Sequence, residues 1–321
     1  GPDRVEGDGA VGQRPERYRE RMRELAVDAI DAAAPRLLEL SAMIHANPEE
    51  GYREFKAVRW LTELLESFNF DVERGVAGLP TAFLARYGQG RSRPAVAFLA
   101  EYDALPGLGH GCGHNWIAAA SAGAAIGLQG ALAGVPEVVG SVVVIGCPAE
   151  EGTVDGAGGK VVLLERGVFD GIDAAMLVHP CNRTMVDRGS TAREALEISF
   201  RGRAAHAAGS AHEGINALEA VIQTFNTINA LRPHLRPGVQ VHGIITEGGV
   251  APNIVPEHAA ARFYVRAPER RQLDEAVQRV KGCARGAAQA TGAALSFRQF
   301  ARTYESLLVN GALARAFESN L

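Results

Sequence analysis

Between residues 17 and 46 apolar side chains recur at helical spacing, with Met22, Leu25, Ala26, Ile30 and Leu37 along one face. Pro35 lies inside this run and is expected to kink or split the helix. A second helical pattern covers 54–68, and short continuous apolar runs follow at 81–87, 95–100, 141–146 and 173–178. Helical stretches at 116–133 and 158–168 lie between them. Strands without polar alternation, interleaved with helices, predict an α/β layer structure whose sheet is buried on both faces.

The rhythm changes near residue 190. Residues 194–200 (EALEISF) alternate as a half-exposed strand does, then come a helix at 213–232, strands at 239–245 and 259–266, a helix at 269–291 and a strand at 294–299. The order β-α-β-β-α-β is that of a ferredoxin-like α+β unit. A further helix is expected over 304–321, and the polar, Gly-rich stretch 1–14 reads as a disordered lead-in. The expected division is therefore a first domain over 15–190 and 304–321, interrupted by a second over 191–303.

Length and composition fit this division, since 321 residues suit two domains and 47% hydrophobic content supplies two cores. A net charge of −4 carries no basic footprint, which argues against nucleic acid as a partner. No uninterrupted apolar run reaches about 18 residues, which argues against a membrane span, and the N-terminus lacks a signal pattern. Cys112, Cys147, Cys181 and Cys283 have no disulfide-like spacing, so a cytoplasmic setting is expected.

Candidate chemistry gathers where three core strands end. The first runs into Glu101-Tyr102-Asp103 and the loop ending Cys112-Gly113-His114, the second into Glu150-Glu151, and the third into His179-Pro180. Open α/β sheets bind ligands at the carboxyl ends of their strands. Thiolate, imidazole and carboxylate together suit zinc, with manganese or cobalt tolerated. Gly113 lets Cys112 and His114 face one point. The side chains of Glu150 and Glu151 diverge, so one carboxylate can bind metal while the other acts as general base on water acidified by the ion. Each cluster alone has a bland reading as loop packing, solvated charge or a core histidine; three on consecutive strands point to one site.

At these residues the chain resembles the aminoacylase-like metallopeptidases. The segments AEYDALPGLGHGCGHN (100–115), PAEEG (148–152), GGKVVLLERGVFDGIDAAMLVHP (158–180), AAHAAGSAHEGINALEA (204–220) and VHGIITEGGVAPNIVPE (241–257) are similar to the branch holding aminobenzoyl-glutamate hydrolase and the Xaa-Arg dipeptidase. The resemblance implies a zinc-exopeptidase-like catalytic domain of three α/β/α layers, with the ferredoxin-like insertion as a dimerisation lid. It implies two divalent ions per subunit, with Cys112, His114, Glu151 and His179 as ligands, Glu150 as base and Asp103 orienting the site. It further implies that His206 reaches a partner subunit's site to stabilise an oxyanion, and that Asn253 and Arg266 hold the substrate's carboxylate. The expected reaction is hydrolysis of an amide in a dipeptide or N-acyl amino acid by a homodimer.

One departure and two rival readings accompany this. The family has a further histidine ligand near its C-terminus, and none of the nine histidines here follows His258. The chain as written is therefore expected to bind a second ion weakly and to be little active. One rival makes Cys112 a nucleophile with His114 as its base, and the other makes the chain a truncated, non-catalytic dimerising homologue. The sequence leaves basic dipeptides and aminobenzoyl-glutamate both open as substrates.

Overall fold

The computed structural model describes residues 10–88, 92–186 and 188–321. Residues 1–9 of the expected tail lie outside these, and from Ala10 the chain is already helical. By its contacts the chain forms two compact units, one of residues 1–153 and 157–182, the other of residues 154–156 and 183–321.

In the first unit, α1 (Ala10–Ala46) and α2 (Phe55–Ser67) precede the strands β1 (Asp71–Arg74), β2 (Phe83–Tyr87) and β3 (Ala95–Ala100). After these come α3 (His114–Gly134), β4 (Ser141–Gly146), α4 (Gly159–Glu165) and β5 (Ala174–Met176). The sheet order is β1-β2-β4-β3-β5. The pairs β3–β4 and β3–β5 are parallel, while β1–β2 and β2–β4 are antiparallel. Every residue of β4 is buried. Val142 and Val144 enter one core with residues of α1, α2 and α3, whereas Val143 and Ile145 enter a second core with Leu163 of α4. The period-2 alternation of a strand thus feeds both faces, which is why β4 reads as an unbroken apolar run.

Pro35 does not split α1. Its ring is exposed while Ala33, Leu37, Leu40 and Ile44 are buried, so the apolar stripe continues across it and packing holds the helix together. By length and composition alone α3 is long and apolar enough to cross a membrane. Its burial accounts for that composition, because Ile117, Ala118, Ala122, Ala125 and Ile126 are all fully enclosed. Glycines on α3 allow α1 to approach closely. A Cβ at Gly130 would lie 2.6 Å from Ala29 Cβ, an atom fixed to its own backbone. Gly130→Val is accordingly expected to lower unfolding free energy by about 1–3 kcal/mol, overpacking outweighing its gain in helix propensity. Urea denaturation of the variant checks this; unchanged or higher stability would show that the seam yields.

The second unit comprises β6 (Ala192–Arg201), α5 (Ala217–Leu231), β7 (Gln240–Glu247), β8 (His258–Ala267), α6 (Arg270–Thr291), β9 (Ala294–Tyr304) and α7 (Gly311–Glu318). The first six elements form an antiparallel sheet of order β7-β8-β6-β9 with α5 and α6 packed into one core, the ferredoxin-like arrangement. Residues 304–321, expected with the first unit, group with this one. The ion pair of Arg270 with Glu305 and the bond from Leu307 N–H to Ser190 Oγ tie that segment to it.

Candidate metal centre

Because β4, β3 and β5 are parallel neighbours, their carboxyl ends open on the same edge of the sheet. β3 delivers Glu101 and Asp103, two positions apart and so on one face. The loop beyond it closes on Gly113, whose φ of 78° is left-handed and where a Cβ would meet Pro180 Cγ at 2.6 Å. Only glycine satisfies both demands. That turn starts α3 and places His114, its first residue, fully buried beneath Cys112.

The side chains converge. Cys112 Sγ lies 3.5 Å from His179 Nε2, whose other ring nitrogen is 2.8 Å from Pro180 O. His114 Nδ1 is 2.8 Å from Asp103 Oδ1, and the second oxygen of Asp103 accepts the Glu151 N–H at 2.9 Å. His114 Nε2 therefore faces the acids, 3.3 Å from Glu101 Oε2, 3.6 Å from Glu151 Oε1 and 3.7 Å from Glu150 Oε2. Two ligand-like groups result, Cys112 with His114 and His179, and Glu101 with His114 and Glu150. His114 Nε2, Glu101 Oε2 and Glu151 Oε1 are buried without a hydrogen-bond partner. Buried polar atoms rarely lack one, so their convergence fits a cation.

Burial opposes charge on His114, but Asp103 and Cys112 outweigh it and push the imidazole up to about 11. Burial, against the attraction of His114, raises Glu151 above the usual carboxylate range. Enclosure also lifts the Cys147 thiol to about 12, which makes it a packing residue and no nucleophile.

Three residues to which the sequence assigns no role join the centre. Glu101 pairs with Lys160 of α4, whose Nζ also lies 4.0 Å from Glu150 Oε1. Glu54, at the start of α2 and fully buried, accepts the Ala149 N–H at 2.8 Å. Ala149 has a left-handed φ of 52°, so this bond braces a strained peptide just before Glu150. Burial raises Glu54 from 4.5 to about 7, against the bond from Ala149. Folded protein then holds this proton where unfolded chain has lost it. Stability from Glu54 is complete below pH 4.5 and declines by about 3 kcal/mol as pH rises to about 7. In Glu54→Gln, urea midpoints compared at pH 5 and pH 8 should lack that decline; an identical slope would mean the carboxyl titrates normally.

The remaining candidates lie in the second unit. His206 and Ile254 form an isolated bridge, and Ala207 N–H donates to Asn253 O, so His206 and Asn253 stand together. The His206 Nδ1 accepts N–H groups from Ala208 and Gly209 at 3.3 and 3.2 Å, which assigns the ring hydrogen to Nε2. Arg266 sits apart, near the opposite end of β8 from His258, which adjoins this segment. Eight strand residues span about 27 Å.

Comparison with known proteins matches this architecture. Residues 194–291 match the family model described as a peptidase dimerisation domain. The Xaa-Arg dipeptidase of Mus musculus is 38% identical over 94% of this chain and 71% of its own length. One of the p-aminobenzoyl-glutamate hydrolase chains of Escherichia coli K12 is 37% identical over 90% of this chain and 62% of its own. Among solved structures, the aminobenzoyl-glutamate utilization protein of Klebsiella pneumoniae superposes with a TM-score of 0.72 at 21% identity, covering 91% of this chain and 81% of that one. The YXEP protein of Bacillus subtilis, a dinuclear metal-binding peptidase of the M20 family, gives 0.60 at 23%, covering 90% and 79%. With its catalytic α/β unit and its dimerisation domain, the chain belongs to the M20 family of peptidases and amidohydrolases.

Proposed function

We propose that this chain hydrolyses the amide bond of a dipeptide or N-acyl amino acid with a free carboxylate, with Glu150 as general base beside divalent ions held by Cys112, His114, Glu151 and His179. The observation that carries this reading is the convergence of buried, unpartnered His114 Nε2 and Glu151 Oε1 with the Cys112–His179 contact. Such a donor set suits zinc, and manganese or cobalt are tolerated. When bound, two ions would supply Lewis acidity, polarising a carbonyl and acidifying water.

The protein's own groups divide the remaining work. Asp103 fixes the ring of His114 and the backbone of Glu151 together. His114 would give up its Nε2 proton to hold a cation, so metal uptake should acidify an unbuffered solution. The Glu150 side chain is 26% exposed against 12% for Glu151, which gives it the substrate side. It accepts a proton from water and delivers it to the departing amine, with Lys160 orienting its carboxylate. His206 offers an Nε2–H to an oxyanion, Asn253 stands beside it, and the Arg266 fork receives the substrate carboxylate. His206 and Asn253 adjoin the His258 end of β8, and Arg266 lies near its other end. The reading therefore takes His206 and Asn253 from a partner copy in a homodimer. The spacing of the four cysteines, which is not disulfide-like, supports a reducing cytoplasm.

Turnover of dipeptides and N-acyl amino acids by metal-loaded protein tests the proposal. Chelator should abolish hydrolysis and added metal restore it, with no such effect when the substrate carboxylate is amidated. Activity that resists chelation but falls to thiol alkylation would make Cys112 the nucleophile instead.

A further inference from the structure

Three consecutive peptide planes around Glu150 are each held by one hydrogen bond from a different part of the first unit. The plane before Ala149 donates its N–H to Glu54 Oε1 at 2.8 Å. The plane before Glu150 accepts the Gly158 N–H on the Ala149 carbonyl at 2.9 Å, and the plane before Glu151 donates its N–H to Asp103 Oδ2 at 2.9 Å. Only two soft dihedrals separate one such plane from the next, so the three bonds together fix Ala149 and Glu150. Ala149 is the strained member, with a left-handed φ of 52° that alanine adopts only under constraint.

Glu54 is poorly suited to a purely stabilising role. Its side chain is fully enclosed, and the groups that bear on its carboxyl are Thr81, Asp103 and the N–H groups of Ala149 and of Glu54 itself, none of them a cation. Enclosing an ionisable group without a counter-charge lowers stability, and an apolar side chain of similar size would avoid that cost. Departures from this rule gather at functional positions. What the carboxyl supplies and leucine cannot is an acceptor for the Ala149 N–H.

We infer that Glu54 is a positioning residue for the reaction: by holding the Ala149 peptide it aims the Glu150 carboxylate at the substrate side while Glu151 keeps its place beside His114. This rests on the reading of Glu150 as general base. Without the acceptor, the easiest relaxation is a turn of Ala149 to negative φ, which takes its carbonyl off Gly158 and swings Glu150 with it. Glu151 retains its own anchor on Asp103. Loss of Glu54 should therefore damage proton transfer and spare the metal, since a displacement of about 1 Å at a reacting group costs on the order of a hundredfold in rate. A purely structural Glu54 would weaken the fold and affect metal content and rate alike.

The test reads kinetics and bound zinc side by side in the zinc-loaded full chain, with N-acetyl-alanine and the dipeptide alanyl-arginine as substrates. Glu54→Leu and Glu54→Asp, the second keeping the acid on a stem too short to reach Ala149, should each lower kcat by about 10- to 100-fold. KM should stay within about threefold and zinc per chain should not change. Glu54→Gln keeps an acceptor in place and can turn its amide nitrogen to Thr81, so its kcat should remain within about threefold of the wild type. In the Glu150→Gln background Glu54→Leu should cost nothing further, because residues that act as one unit are not additive. A Glu54→Leu enzyme that turns over normally overturns the inference, as does one that loses zinc together with rate, or one whose loss multiplies that of Glu150→Gln. If Glu54→Leu does not fold, Glu54→Asp decides by the same readings. Retained turnover in Glu150→Gln alone instead removes the base on which the inference rests, and a wild type that hydrolyses neither substrate sinks the proposed function and the inference together.

Discussion

Replacement of Glu150 by glutamine should lower kcat by about 10²- to 10⁴-fold while the protein keeps its metal. The amide has the shape of the carboxylate, and its oxygen can still face Lys160, 4.0 Å from Glu150 Oε1 in the wild type. What it loses is the ability to take a proton from water and return it to the amine. Glu150 could instead belong to the ligand set, since Glu101, His114 and Glu150 group closely enough to hold an ion. Metal stoichiometry measured beside kinetics separates the two roles. Unchanged stoichiometry with lost turnover assigns the base. A lost ion assigns a ligand, and retained turnover removes Glu150 from the chemistry. Glu151→Gln is the complementary variant, expected to lose metal first, because Glu151 Oε1 is buried without a hydrogen-bond partner and faces His114 Nε2 at 3.6 Å.

The sequence announced those elements whose pattern is local. The strands β3 and β4 stand where unbroken apolar runs put them, at Ala95–Ala100 and Ser141–Gly146. The six-element order of the second unit was legible for the same reason. β1 was not, because its four residues DVER are mostly exposed and polar, and an edge strand of that kind is made by pairing with β2. Helix α1 crosses Pro35 on the strength of contacts that no window of sequence contains. The candidate site divides along similar lines. Its candidate ligands follow strand ends within recognisable motifs, and Cys112, His114, Glu150, Glu151 and His179 lie close together in the structure. Their supports come from far along the chain. The Glu54–Ala149 bond closes 95 residues and the Lys160–Glu101 pair 59. Nor could a sequence reveal that Arg266 faces Arg193, since the register of β8 on β6 is set by the whole sheet.

Asp103→Asn should weaken metal binding by about 10- to 100-fold, although Asp103 belongs to neither ligand-like group. Its two oxygens accept from two buried groups at once, the His114 ring and the Glu151 N–H. Asparagine offers one oxygen and an NH₂, so one of the two must meet a donor with a donor. If the amide turns its oxygen to Glu151, His114 can keep its Nδ1 contact only by giving up the Nδ1 proton and keeping the one on Nε2, the nitrogen that faces the acids. If it turns the other way, the Glu151 backbone is left unsatisfied in a residue only partly reached by solvent. The second arrangement lowers unfolding free energy by about 1–3 kcal/mol for the unsatisfied group, and the first costs the charge that Asp103 sustains on His114. Metal titration by calorimetry together with urea denaturation reads both effects. Unchanged metal affinity would show that His114 is held by burial alone. Lost affinity with unchanged stability of the metal-free protein would mean that Asp103 binds the ion itself, a distinction that Asp103→Glu sharpens, since the longer acid keeps both acceptors but displaces the histidine.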